Sequence, residues 1–281
     1  MKATTTTLLA AALLLALPTG SALACTVSNW SDATANALAG NQKGRNAEPA
    51  VPRYSGECAL KAATAGTSYV TDNTPGAEAI YRARFYVFTG SATNGSKIFS
   101  ATSDDNGAGT EAYSISITGG ALAFNVNGTT VSPNISVAAN KWYGVETIYR
   151  ASGAFQAKVR GAGAAMETVA NSAGNAGAVN VGSARMGVLS ATTNATSLAF
   201  DAFESTRSDT TEIGRLCPGD ANSDSKVDSG DALAAMVEFP PSGAYSAGQP
   251  DCNEDGKIDS GDALCAMARF TVPAQRNCLA N

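Results

Sequence analysis

Ile80-Tyr-Arg-Ala-Arg-Phe-Tyr-Val87 combines strong β formers with alternating polarity. A run of that kind fits a pleated, partly buried surface and has no helical period. Outward from it the pattern repeats at 97–102, 112–118, 121–126, 142–149, 155–159 and 197–203. Turn signals separate the runs: Gly119-Gly120, Asn127-Gly128, Ser152-Gly153 and the glycines between 161 and 163. Many short strands at regular spacing predict a mainly β fold, a β-sandwich or jelly roll over residues 25–213. The Ala/Gly/Asn-rich stretch 161–180 reads as a long loop.

The chain has 281 residues and no His. That excludes a Ser-His-Asp or Cys-His nucleophile pair, a His-ligated zinc site and an imidazole switch. The net charge is −5, which offers no basic field for nucleic acid. At the start, Lys2, the apolar run Leu8 to Leu17 and the sequence Ala22-Leu23-Ala24 have the form of a signal peptide spanning 1–24. The run is too short to span a bilayer, and no second apolar stretch follows, so no transmembrane segment is expected in the mature chain. The expected location is secreted, extracellular or at the cell surface. Lipid attachment at Cys25 would want a larger aliphatic residue where Ala22 stands. Six Cys in an exported chain point to disulfides: Cys25, Cys58, Cys217, Cys252, Cys265 and Cys278. Cys25–Cys58 is the expected first bridge, with three pairings open for the other four.

The charge is uneven. Residues 25–216 carry 14 basic and 14 acidic side chains, whereas 217–281 carry 10 acidic against 4 basic. The tail also contains a repeat. Asp220-Ala-Asn-Ser-Asp-Ser-Lys-Val-Asp-Ser-Gly-Asp-Ala-Leu-Ala-Ala-Met236 aligns, 31 residues on, with Asp251-Cys-Asn-Glu-Asp-Gly-Lys-Ile-Asp-Ser-Gly-Asp-Ala-Leu-Cys-Ala-Met267, and 12 of the 17 positions are identical. The spacing fits two twelve-residue Ca²⁺ loops, because this hard cation takes about six to eight oxygens. The first would use Asp220, Asn222, Asp224, Asp228, Asp231 and the carbonyl of Lys226. The second would use Asp251, Asn253, Asp255, Asp259, Asp262 and the carbonyl of Lys257. Val227 and Ile258 take position 8, where an aliphatic side chain points inward. Four carboxylates per loop repel one another without a cation, so metal binding and folding should be coupled. Each loop leads into a short helix. Leu233, Met236 and Val237, and Leu264, Met267 and Ala268, are spaced to pack as a small core between the helices. Two metals and one or two disulfides would staple so small a unit, and the boundary near 216 predicts two melting transitions.

The strand order, Asn140-Lys-Trp-Tyr-Gly-Val145 and Ala199-Phe-Asp-Ala-Phe203 resemble the concanavalin A-like (laminin G-like) jelly-roll domains of exported bacterial proteins. The duplicated Asp-x-Asn-x-Asp runs, the aliphatic position 8 and Asp at position 12 resemble a type I dockerin, a small α-helical calcium-binding module of paired EF-hand loops, here spanning 217–281. That resemblance implies a cohesin-like or cell-surface protein partner, selected in part by Ser229, Gly230, Ser260 and Gly261. Position 6, which wants a left-handed backbone, is Gly256 in the second loop but Ser225 in the first. The first site is therefore expected to be the weaker.

The expected function is a secreted, non-catalytic protein whose sandwich binds a polysaccharide or protein and whose tail serves assembly or attachment. Two alternatives stand beside it: a polysaccharide-active enzyme carrying a dockerin, and a structural surface protein with no cohesin partner. No Glu-x-Asp-x-(x)-Glu strand of the jelly-roll glycosidases occurs. Glu111, Glu146 and Asp201 read as sheet-face or rim residues, Trp142 as core, and Ser103-Asp-Asp-Asn-Gly107 as a polar loop rather than a third cation site.

Overall fold

A computed structural model describes residues 25–43, 50–63, 65–91, 96–152, 154–161, 168–172, 179–190, 198–239 and 245–272. The leader 1–24 and Cys278 lie outside these residues. Two seven-stranded antiparallel sheets face each other. The first runs β1 (Asp32–Ala33), β4 (Ser68–Asp72), β13 (Ser183–Ser190), β6 (Ser96–Thr102), β7 (Glu111–Thr118), β8 (Ala121–Val126) and β9 (Thr129–Ser136). The second runs β12 (Thr168–Ser172), β11 (Phe155–Gly161), β10 (Trp142–Arg150), β5 (Ile80–Phe88), β14 (Ala199–Thr206), β3 (Ala59–Lys61) and β2 (Leu38–Gly40). The expected β-sandwich is therefore present. The stretch 161–180 contains an edge strand, β12, where a long loop was expected, because Thr168–Ser172 pairs with residues 155–159 of β11.

The opening stretch is β5, at the centre of the second sheet between β10 and β14. Its alternation sorts the side chains. Tyr81, Ala83, Phe85 and Val87 enter the core between the sheets, while Tyr86 and Phe88 join a second cluster with Val51, Tyr54, Ala59, Trp142 and Ala199. Even Arg82 and Arg84, at 4% and 8% exposure, are buried, so β5 is covered on both faces.

Two things cover its outer face. One is the connecting segment 207–216. Arg82 donates to the carbonyls of Ser208 (3.4 Å) and Asp209 (3.1 Å), and Arg84 donates to that of Gly214 (3.1 Å). The Glu146 carboxylate accepts from the backbone N–H of Ile213 (3.1 Å) and Gly214 (2.9 Å) and pairs with Arg82 (2.8 Å). The other cover is the tail, with its two helices α1 (Ser229–Met236) and α2 (Ser260–Phe270), which pack on each other.

The tail's small core consists of Val227, Ala232 and Ala266, flanked by Cys217 and Ala263. This corrects the helical-face expectation: Leu233 is 63% exposed and Leu264 70%, and Met236, Val237 and Met267 also face outward. These two helices meet through Ala232, Ala263 and Ala266, and the larger residues face away from the contact. Cys25–Cys58 and Cys252–Cys265 are bonded, and Cys217 is also in a disulfide. Cys252 and Cys265 stand where the first repeat has Ala221 and Ala234, so this loop-to-helix bridge belongs to the second repeat.

Candidate functional site

The two acidic loops have the same internal geometry. In each, the position-1 carboxylate accepts from the backbone N–H of positions 5 and 6. These distances are 3.0 and 2.9 Å for Asp220 and 3.0 and 2.7 Å for Asp251. The position-5 carboxylate accepts from position 7: Asp224 from Lys226 at 3.0 Å and Asp255 from Lys257 at 2.9 Å. Asp228 and Asp259, at position 9, are the N-caps of α1 and α2, and with Asp231 and Asp262 they form capping boxes. Asp231 also reaches back to the N–H of Asn222 (3.1 Å), and Asp262 to that of Asn253 (3.3 Å). Position 1 and position 12 are thereby folded onto the same turn. Val227 and Ile258 are buried, as position 8 requires. Ser229 and Ser260 are exposed at the helix starts, with Gly230 and Gly261 half-buried beside them.

The backbone conformation expected at position 6 is present: φ is +68° at Ser225 and +82° at Gly256. Position 4 is left-handed as well, with φ +63° at Ser223 and +56° at Glu254. Sequence inspection did not single out position 4, since neither Ser nor Glu announces a positive φ.

Asp231, Asp251 and Asp262 are completely buried, and no Lys or Arg pairs with them among the described residues. Burial first, and then the neighbouring Asp262 charge, push the Asp251 carboxyl well above the usual carboxylate range. Burial above all raises Asp262 to about 6. In the first loop burial raises Asp220 and Asp231, with Asp224 adding to both. Among the described residues, no three Cys, Asp or Glu side chains stand close enough to form a ready metal cage. The donor set nevertheless suits a hard cation: four carboxylates, one amide and one carbonyl per loop.

The second loop is seated on the sandwich. The Glu254 carboxylate accepts from the Tyr54 hydroxyl (2.7 Å) and from Arg215 (3.0 Å), and its backbone carbonyl accepts from the backbone N–H of Trp142 (3.4 Å). Glu238, just after α1, pairs with Arg53, both fully buried, and also accepts from the Ser246 N–H (2.6 Å). Gly56 donates to the carbonyl of Gly248 (3.1 Å), and Tyr245 donates to Asn41 (2.5 Å). Arg53, Tyr54, Arg215, Glu238 and Glu254 had no local signal in the sequence, because each acts across long separations.

The other candidates fall elsewhere. Trp142 is buried, but under the tail rather than between the sheets, 5.4 Å from the rings of Phe88 and Tyr54. Trp30 packs on Phe203 at 5.1 Å beside Leu60, Met186 and Asp201, so the two indoles form no common platform. Glu111 pairs with Lys97 (2.5 Å). Asp201 accepts from the N–H of Tyr54 (2.6 Å) and Ser55 (3.0 Å), and burial raises its carboxyl to about 6. Asp104 accepts from Thr102 (3.0 Å) and from the N–H of Ala108 (3.0 Å), closing a polar turn. No helix among the described residues is long and apolar enough to cross a membrane.

No family model matches the chain, and no curated protein matches it. Solved structures similar to it include the cellulose-induced protein Cip1, at 12% identity and a TM-score of 0.40, covering 55% of this chain and 82% of that one. The binding domain of botulinum neurotoxin serotype D/C is 14% identical with a TM-score of 0.38, covering 56% of this chain and 41% of that one. The serotype G binding domain is 15% identical with a TM-score of 0.38, covering 63% and 48%. The chain thus spans less than half the length of the neurotoxin domains. The sandwich assignment rests on the strand pairing itself.

Proposed function

We propose that this is a secreted, non-catalytic calcium-binding protein. Its β-sandwich carries a dockerin-like tail, and each of the two acidic loops takes one Ca²⁺. The observation that carries this reading is the duplicated loop, with three fully buried carboxylates that no cationic side chain neutralises among the described residues. A divalent ion held by Asp220, Asn222, Asp224, Asp228, Asp231 and the Lys226 carbonyl, and by the matching six residues from Asp251 to Asp262, would neutralise that crowding. The tail presents Ser229, Gly230, Ser260 and Gly261 next to the exposed Leu233, Met236, Val237, Leu264 and Met267. That surface suits an apolar, cohesin-like protein partner. A polysaccharide is proposed as a ligand of the sandwich, with the Trp30–Phe203 pair as its contact.

A second reading is favoured by the seating of the tail. Buried polar contacts from Glu238 and Glu254 to the sandwich suit a module that staples its own chain and meets no cohesin. Calorimetric titration of the full chain with Ca²⁺ should give two sites, the first loop weaker. An absence of heat and of any stability change overturns the calcium reading. Capture of a partner by the wild type in Ca²⁺, lost in a Leu233→Lys/Leu264→Lys variant, separates attachment from stapling.

A further inference from the structure

We propose that the outer face of the second sheet is a working part of the second loop. Tyr54, Arg215, Trp142 and Phe88 hold its positions 4 and 6 in the backbone conformation that its ligands need. The inference rests on the calcium reading above and adds to it residues that lie outside both repeats.

Positions 4 and 6 are left-handed in both loops, a conformation that strains any residue carrying a Cβ. In the first loop these residues, Ser223 and Ser225, are exposed to solvent. In the second, Glu254 is 1% exposed and gripped at three points: its carboxylate by Tyr54 and Arg215, its carbonyl by the backbone N–H of Trp142. The Arg215 charge is balanced by Glu254 and so does not oppose a cation in the loop. Gly256 lies against the Phe88 ring, where an added Cβ would come within 2.3 Å of Cε2. Asn253 and Asp255 alternate with the gripped Glu254 and Gly256, and the Asp251 carboxylate accepts from the N–H of Asp255 and Gly256. Fixing the backbone at 254 and 256 therefore fixes the directions of three ligands before the ion arrives. Tyr54, Arg215, Trp142 and Phe88 are positioning residues. They make the second loop the tighter one for a reason separate from the Ser225/Gly256 difference, and they tie its metal to the docking of the tail.

The test uses the full chain with Trp30→Phe, which leaves Trp142 as the sole indole. Tb³⁺ emission sensitised by Trp142 then reports the second loop, Ca²⁺ competition gives its affinity, and calorimetry follows both loops. Tyr54→Phe keeps the ring stacked on Tyr86 (3.7 Å) and removes only the hydroxyl that Glu254 accepts from. Arg215→Met removes the other donor without touching the stack, and it serves if Tyr54→Phe folds poorly. Either substitution should weaken the second site about tenfold and speed its ion release, with the first site unchanged. Equal second-site affinity in wild type and both variants overturns the inference and leaves the calcium reading intact. Parallel weakening of both sites also overturns it, since that is the mark of general destabilisation. No uptake of Tb³⁺ or Ca²⁺ by the wild type overturns the calcium reading, and the inference with it.

Discussion

Replacing Gly256 with Ala probes the seat of the tail with a single methyl group. Two costs add at this position. The backbone φ of +82° costs a residue with a Cβ about 1 kcal/mol. The methyl also meets Phe88, which is 5% exposed and packed on Trp142 at 5.4 Å, so the ring has little room to turn. Overpacking of that kind costs about 1–3 kcal/mol. The sum is about 2–4 kcal/mol, or a melting temperature lower by about 5–10 °C in saturating Ca²⁺. Ser225 is the matched control, at the same position of the first loop and exposed. Ser225→Gly relieves about 1 kcal/mol of strain and gives back part of it in chain entropy, for a net gain of about 0.5 kcal/mol. Differential scanning calorimetry of both variants reads the asymmetry. If Gly256→Ala melts within 1 °C of the wild type, the second loop does not rest on Phe88, and the seating described above is wrong.

Glu238→Ala leaves Arg53 buried without its partner and should cost about 3–5 kcal/mol in chemical denaturation, against less than about 1 for a surface pair such as Arg150–Asp209. Asp201 titrates at about 6 in the fold, above its unfolded value, because burial disfavours the charge. Its stabilising share is therefore complete below about pH 4, falls as pH rises through 6, and amounts to about 2–3 kcal/mol. A carboxyl ¹³C titration with its midpoint near 4 would refute that. Leu233→Lys with Leu264→Lys should change the melting free energy by less than about 1 kcal/mol, because both side chains face solvent. A loss of about 4 kcal/mol or more would restore the helix-to-helix core expected from spacing.

The long strands were legible because their alternation is local. The strand at 80–87 in the sequence became β5, and 121–126 became β8 unchanged. β9 was hidden by Pro133, which an edge strand tolerates and a central one does not. β13 was hidden by Gly187, whose φ of +135° and close approach to the Ser68 carbonyl (2.3 Å from a Cβ built there) mark a bulge. In the tail, the spacing of Asp220 to Asp231 and its copy gave the turns, the helix starts and the left-handed position 6, since all of these are set by neighbours in sequence. The helix faces were misassigned because i, i+3, i+4 spacing marks a stripe without saying what covers it; Ala232 and Ala266 fill the contact instead. The seat built from Arg53, Tyr54, Arg215, Glu238 and Glu254 joins residues up to 200 positions apart, and no local pattern encodes it. It also revises the expected melting behaviour. A tail bonded to the sandwich through buried groups should unfold with it in one transition rather than two.

The most direct test is a calorimetric melt of the full chain, in millimolar Ca²⁺ and again in excess EDTA. The account predicts a single transition that Ca²⁺ raises, by about 2.7 kcal/mol for each site when free ion is a hundredfold above its dissociation constant. Superimposable melts under the two conditions would contradict it.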